Sequence, residues 1–152
     1  MADSPARSVQ EWMRAVGQPV HSHPQDYVPA ETAALRIRLI NEECQEAAAA
    51  IALGNLAAIA HELADIVVVA YGTAAAFGLD LDRAVDEVMQ ANRSKFVDGK
   101  PVLRADGKVL KGPNYRPPDM DRVVELCRIF GRSTDRPIPQ HVVKQAPMEQ
   151  TS

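Results

Sequence analysis

Apolar residues recur at helical spacing along most of the chain, and prolines and glycines divide this pattern into segments. No proline lies between Pro29 and Pro101, so this interval can carry long helices, because an interior proline removes a hydrogen bond and clashes with the preceding turn. Gly17, Gly54 and Gly78 follow apolar segments and are typical of helix ends. The pattern predicts helices over about 5–16, 30–53, 56–77, 81–95 and 120–130.

These elements predict an all-α fold, a helical bundle of four to five helices. The loop after the fourth helix contains Asp106-Gly107 between apolar pairs at 102–103 and 109–110. An Asp-Gly pair flanked in this way predicts a small β-hairpin.

The chain length predicts one domain. Its 152 residues are enough for a single core. We expect this domain over residues 1–131, followed by a polar, flexible tail over residues 132–152.

Composition excludes several classes of protein. A formal charge of −3 and a hydrophobic fraction of 46% are typical of a folded domain and argue against a nucleic-acid binder. No run of about 18 uncharged apolar residues occurs, so no membrane span is expected, and the N-terminus lacks the apolar core of a signal peptide. Cys44 and Cys127 lie in apolar helical patterns, so reduced thiols and a cytoplasmic location are expected.

Charge is unevenly distributed. Residues 31–91 hold ten acidic and three basic residues, whereas residues 92–116 hold seven basic and two acidic residues. An acidic helical body beside a basic loop suits a metal–polyphosphate complex, because carboxylates bind the cation while Lys and Arg bind phosphate.

Carboxylates occupy helix positions where core residues are expected. In the second helix, Glu42 and Glu46 share a stripe with leucines, and Glu43 lies at its edge. In the third helix, Glu62 interrupts an apolar stripe and Asp65 lies on its flank. The 3.6-residue period therefore predicts five carboxylates on inward faces.

Inward carboxylates need a counter-charge, because desolvating an unpaired one costs roughly several kcal/mol. Arg36 and Arg38 are predicted to point elsewhere on the second helix. The candidate ligands are hard oxygens, which favours Mg²⁺ or Mn²⁺ over zinc. The alternative is a wetted helix seam in which Glu42 and Glu46 reach solvent.

The string LINEECQE at residues 39–46, followed by HELAD at residues 61–65, resembles the EExxE…ExxD signature of the MazG-like, all-α nucleoside triphosphate pyrophosphohydrolases. The similarity covers roughly residues 8–122, and residues 104–119 are similar to the loop of its dUTPase-like, HisE-like branch. The resemblance implies a homodimer or dimer of dimers that hydrolyses a nucleoside triphosphate to monophosphate and pyrophosphate.

The resemblance also implies roles for individual residues. Four carboxylates would hold Mg²⁺, namely Glu43, Glu46, Glu62 and Asp65. Glu42 would orient or deprotonate the attacking water. Substrate contacts are implied for Asn92, Lys95, Lys111 and Tyr115. Trp12 on the first helix has two interpretations, a stacking wall for the base or a packing anchor of that helix.

Several functions stay open. The resemblance to the dUTPase-like branch modestly favours dUTP as the substrate, and phosphoribosyl-ATP is the alternative substrate. A di-iron bundle would need Glu-x-x-His on two helices, where this sequence has Glu-x-x-Glu and Glu-x-x-Asp. A non-catalytic helical dimerisation module would leave the inward acids unexplained.

Overall fold

A computed structural model describes residues 4–135 of the chain. The described residues form five α-helices and a short 3₁₀ helix, which confirms the all-α class. The helices are α1 Pro5–Ala15, α2 Ala30–Leu53, α3 Leu56–Phe77, α4 Leu81–Arg93 and α5 Met120–Phe130, and the 3₁₀ helix is Ser133–Asp135.

A two-residue connection turns α2 back onto α3. Gly54 ends α2 in the left-handed conformation, with φ of 69°. The side chain of Asn55 then accepts hydrogen bonds from the N–H groups of Ala57 and Ala58, at 3.1 and 3.2 Å. These two caps place α2 and α3 side by side along their lengths.

The core lies where α1 packs on the C-terminal half of α3. Val9 and Met13 of α1 contact Ala75 and Ala76 of α3, and all four are buried. Small residues on α3 let α1 approach closely, so this contact fixes α1 beside the α2–α3 pair.

Residues 132–135 contact the body of the fold. The backbone N–H of Ser133 donates to Asp80 Oδ2 at 2.8 Å, and Gln10 Nε2 donates to Thr134 Oγ1 at 2.9 Å. The start of the predicted polar tail is therefore bound to α1 and to the N-terminus of α4. The remainder of that tail, residues 136–152, lies outside the described residues.

The predicted β-hairpin does not form as a pair of strands. The loop between α4 and α5 contains the isolated bridges Val97–Lys100 and Leu103–Val109. Two backbone hydrogen bonds cross the second turn, from Arg104 N–H to the carbonyl of Lys108 and from Leu110 N–H to the carbonyl of Val102. A two-stranded ribbon is marginal in water without an apolar surface to cover it. Leu103 and Leu110 are exposed, so the ribbon has no such surface and no strand forms.

Large apolar side chains are exposed on α2 and α3. They include Ile37, Ile40, Ile51, Leu53, Leu56, Leu63, Val67 and Val68. By length and composition alone, α3 is a helix that could cross a membrane, although core helices of soluble proteins satisfy the same test. The expectation of no membrane span stays a prediction.

Candidate active site

Four carboxylates from two helices meet along the seam between α2 and α3. Ligand atoms of Glu43 and Glu46 on α2 and of Glu62 on α3 all lie within 4.8 Å of one another. The same holds for His61, Glu62 and Asp65. Because Glu62 belongs to both groups, it links the acids of the two helices into one cluster.

The cluster holds negative charge that its own side chains leave uncompensated. Glu62 is 15% exposed, and its Oε2 has no hydrogen-bond partner among the described residues. Partial burial, followed by the neighbouring charges of Asp65 and Glu46, raises the pKa of Glu43. His61 Nε2 lies 3.1 Å from Asp65 Oδ2, but the imidazole is largely exposed. An orphaned carboxylate oxygen within a set of hard oxygen ligands fits a divalent cation.

The inward face of α2 differs from the predicted stripe. Glu43 is half-buried, whereas Glu42 and Glu46 are exposed. The prediction that these two are buried on the inward face is wrong, although Glu46 still reaches the cluster from the exposed edge of the seam. Residues 36, 43, 47 and 50 follow helical spacing, and Ala47 and Ala50 are buried. Leu35 and Leu39 of the predicted leucine stripe are half-buried like Glu43, so they lie at the edge of this face.

Arg36 lies on the same inward face, which corrects the prediction that it points elsewhere. It is 4% exposed, its guanidinium donates a hydrogen bond to Gln18 Oε1, and its Nη2 lies 3.9 Å from Met13 Sδ. Its Nε has no partner among the described residues, and burial lowers the pKa of Arg36. The buried residue Gly72 on α3 leaves room for the guanidinium.

A cavity of about 270 Å³ lies beside Arg36, between α1, α2 and α3. Glu43 and Asp65 line it on the side of the carboxylate cluster. Trp12 also lines it and is 58% exposed, whereas the neighbouring Met13 is 1% exposed. Met13 is therefore the packing anchor of α1, and Trp12 stands at the wall of the cavity.

The other predicted substrate contacts form a second group at the end of α4. Lys95 Nζ donates to Asn92 Oδ1 at 2.6 Å, and Lys111 Nζ lies 4.5 Å from the centre of the Tyr115 ring. The Asn92–Lys95 pair is connected to the Lys111–Tyr115 pair through the backbone, because the N–H of Gly112 donates to the carbonyl of Lys95 at 3.0 Å. Within residues 4–135, no hydrogen bond or ion pair connects this group to the carboxylate cluster.

Paired carboxylates facing each other across two helices of an all-α protein are the arrangement expected of the MazG-like nucleoside triphosphate pyrophosphohydrolases. The family model described as phosphoribosyl-ATP pyrophosphohydrolase matches residues 9–92, more than half of the chain, and the chain belongs to this family. The match includes the four clustered carboxylates, Trp12 and Asn92. No curated protein matches the chain. The family supports nucleotide pyrophosphohydrolase activity and is metal-dependent in general.

Proposed function

We propose that the protein hydrolyses a nucleoside triphosphate to monophosphate and pyrophosphate in a reaction that requires Mg²⁺ or Mn²⁺. The observation that carries this proposal is the cluster on α2 and α3, in which Glu62 leaves a buried oxygen without a partner. A cation held there would compensate the clustered charge and attract a polyphosphate. The family match supports the same class of reaction.

In this proposal, Glu43, Glu46, Glu62 and Asp65 hold the metal. When bound, the metal neutralises phosphate oxygens and lowers the pKa of water. Glu42 is exposed on α2 next to the cluster, where it can take a proton from a water molecule on the solvent side. No covalent nucleophile is required.

The group at the end of α4 supplies positive charge for the phosphates. Lys95 and Lys111 would stabilise charge that develops on the pyrophosphate leaving group. Asn92 already positions the ammonium group of Lys95 through their 2.6 Å hydrogen bond. Tyr115 does the same for Lys111 through its ring face.

The proposal includes a homodimer or a dimer of dimers. The apolar side chains exposed on α2 and α3 form a surface that a partner would bury, and a second copy of the chain supplies a matching surface. A bilayer fits less well, because Glu62 and Asp65 lie within α3 and each charge near a membrane centre costs roughly 3 kcal/mol.

Two substrates remain candidates. The loop similarity at residues 104–119 favours dUTP, whereas the description of the matching family favours phosphoribosyl-ATP. We would measure pyrophosphate release from both and from the canonical dNTPs, with Mg²⁺, Mn²⁺ or EDTA, and identify the other product. Metal-dependent release of pyrophosphate together with a monophosphate supports the proposal. Absence of pyrophosphate with every substrate, or stepwise release of inorganic phosphate, contradicts it.

A further inference from the structure

The cavity between α1, α2 and α3 contains a buried cation without a carboxylate partner. Arg36 is 4% exposed, and within residues 4–135 no ion pair involves it. Its Nε has no hydrogen-bond partner there. A buried donor that stays unsatisfied costs free energy, so this cavity suits a ligand that brings hydrogen-bond acceptors.

Gln18 helps to identify which hydrogen-bonding groups that ligand carries. Its Oε1 already accepts a hydrogen bond from the Arg36 guanidinium. Its amide NH₂ makes no hydrogen bond among the described residues and offers two further donors. Arg36 and Gln18 therefore both present donors, and the complementary ligand edge carries acceptors.

The cavity lies next to the proposed metal site and is suited to one flat ring. Glu43 and Asp65 belong to the carboxylate cluster and also line the cavity. Its volume of about 270 Å³ lies below the range of roughly 300–1,000 Å³ typical of pockets for drug-sized ligands. Trp12 and Met13 supply an aromatic and a thioether wall, which suit the face of a ring.

We propose, building on the proposed function, that Arg36 is the residue that selects the base and that the site takes nucleotides whose base presents a carbonyl oxygen to it. Uracil, guanine and cytosine each carry such an acceptor, and guanine offers two adjacent acceptors to one guanidinium. Adenine carries its N6 amino donor where guanine carries O6, so a guanidinium that spans this position and N7 meets one donor and only one acceptor. This selection favours dUTP over phosphoribosyl-ATP, whose base derives from adenine.

The first test compares kcat and KM for dUTP, dCTP, dGTP and dATP in the wild type, in Arg36→Met and in Arg36→Lys. We expect the wild type to prefer carbonyl bases. In Arg36→Met, KM for the preferred base rises roughly tenfold to a hundredfold, as expected for a lost hydrogen bond to a charged group, while KM for dATP is unchanged. Arg36→Lys keeps part of the preference. The matched control is Arg38→Gln, since Arg38 is exposed on the same helix, and this variant keeps the wild-type ratios.

Two results overturn the inference. One is a wild type that uses dATP as efficiently as the carbonyl bases. The other is an Arg36→Met variant that loses activity equally on all four nucleotides, which indicates a structural role for the hydrogen bond to Gln18. Ratios between substrates do not depend on the fraction of folded enzyme, so partial misfolding leaves this comparison valid.

A second test does not need turnover. Trp12 is the sole tryptophan of the chain and lines the cavity, so its fluorescence can report binding of dUMP, dGMP, dCMP and dAMP to the wild type. We expect tighter binding of the carbonyl bases. Gly72→Ala should weaken this preference without removing Arg36, because the added Cβ would lie 2.8 Å from Arg36 Nη1. Equal affinity for all four monophosphates contradicts the inference even if Arg36→Met does not fold.

The two proposals fail in distinguishable ways. Pyrophosphate release from all four triphosphates without base preference overturns the role of Arg36 and leaves the proposed function intact. Absence of pyrophosphate release from every triphosphate overturns the proposed function, and the fluorescence titration still decides whether Arg36 selects carbonyl bases.

Discussion

At the scale of single residues, Glu62 and Arg36 have opposite charges but share one feature, a buried polar atom without a hydrogen-bond partner within residues 4–135. Each is largely buried, and each keeps a polar atom without a partner among the described residues. Both lie on the α2–α3 seam, where Glu62 belongs to the carboxylate cluster and Arg36 lines the adjoining cavity. A metal nucleotide would satisfy both at once, because its cation pairs with the carboxylates and its base supplies acceptors.

We predict that Glu62→Gln separates activity from stability. Loss of one metal ligand should lower the rate of pyrophosphate release by about a thousandfold or more, since metal stabilisation of the transition state amounts to roughly several kcal/mol. In EDTA the variant should melt at a higher temperature than the wild type, because one charge leaves a cluster of like charges. Thermal unfolding with and without Mg²⁺, alongside the pyrophosphate assay, measures both effects.

The matched control is Glu125→Gln, since Glu125 is exposed on α5 and lies outside the cluster. It should keep the wild-type rate and the wild-type rise in melting temperature with Mg²⁺. If Glu62→Gln behaves like this control, the cluster does not bind the metal.

At the scale of elements, capping residues at the helix ends determine where each helix stops and where the chain turns. The caps Gly54, Asn55, Gly78 and Asp80 set where α2, α3 and α4 end or begin. They also decide which loops can approach those ends. Two of them can be compared with matched substitutions.

Gly54→Ala and Gly78→Ala should differ although both glycines end helices with nearly the same φ, 69° and 71°. At Gly54 nothing lies within 4 Å of an added Cβ, so the cost is the left-handed conformation alone, about 1–2 kcal/mol. At Gly78 the added Cβ would lie 1.8 Å from the carbonyl oxygen of His23, which raises the total to about 2–5 kcal/mol. Urea unfolding measures both, and equal losses would mean that the 21–26 loop does not pack on the end of α3.

We predict that the carboxylate of Asp80 contributes to the free energy of unfolding in a pH-dependent way. Burial raises the pKa of its carboxyl, but hydrogen bonds from Ser133 and Arg83 outweigh this effect and hold the pKa below its usual value. A lowered pKa in the folded state means that the ionised carboxylate stabilises the fold above the unfolded pKa of about 3.9. This stabilisation is lost as pH falls through the folded pKa.

Asp80→Ala should therefore lower the free energy of unfolding by about 2–4 kcal/mol at pH 7, from the lost cap and the lost hydrogen bond of Ser133. The difference from the wild type should shrink below about pH 4. Denaturant unfolding at several pH values measures it, with Asp86→Ala as the control because Asp86 is exposed on α4. A loss that does not change with pH would contradict a role for the charge.

At the scale of the whole molecule, the single chain leaves much of the α2–α3 pair uncovered. The core of buried residues lies mainly where α1 meets α3, while apolar side chains further along α2 and α3 are exposed. The carboxylate cluster lies on these same two helices. If the chain assembles through this surface, the same contact both stabilises the fold and holds the two helices that carry the active site.

Val67→Glu should disrupt the proposed assembly. Val67 is 46% exposed on α3, and Val102 is 46% exposed in the loop before α5, so Val102→Glu is a control of equal exposure and equal chemistry. We expect the wild type and Val102→Glu to sediment as a multiple of the 16.6 kDa chain, and Val67→Glu to shift towards the monomer. A wild type that sediments as a monomer at micromolar concentration would overturn the assembly.

The sequence by itself determined the helices and the residue types at the site. Proline-free apolar segments, capping residues and αL glycines act locally, so α2 and α5 begin and end where their sequence predicts. The acids of the cluster were recognisable because two carboxylate pairs recur at helical spacing.

Only the tertiary structure decided which way these helices face. Helical spacing fixes the angle between side chains on one helix but not the rotation of that helix against its neighbour. The packing of α2 against α3 sets this rotation. It leaves Arg36, Ala47 and Ala50 buried and Glu43 half-buried, while Glu42 stays exposed. The cavity and its buried arginine follow from that long-range contact, which no local pattern contains.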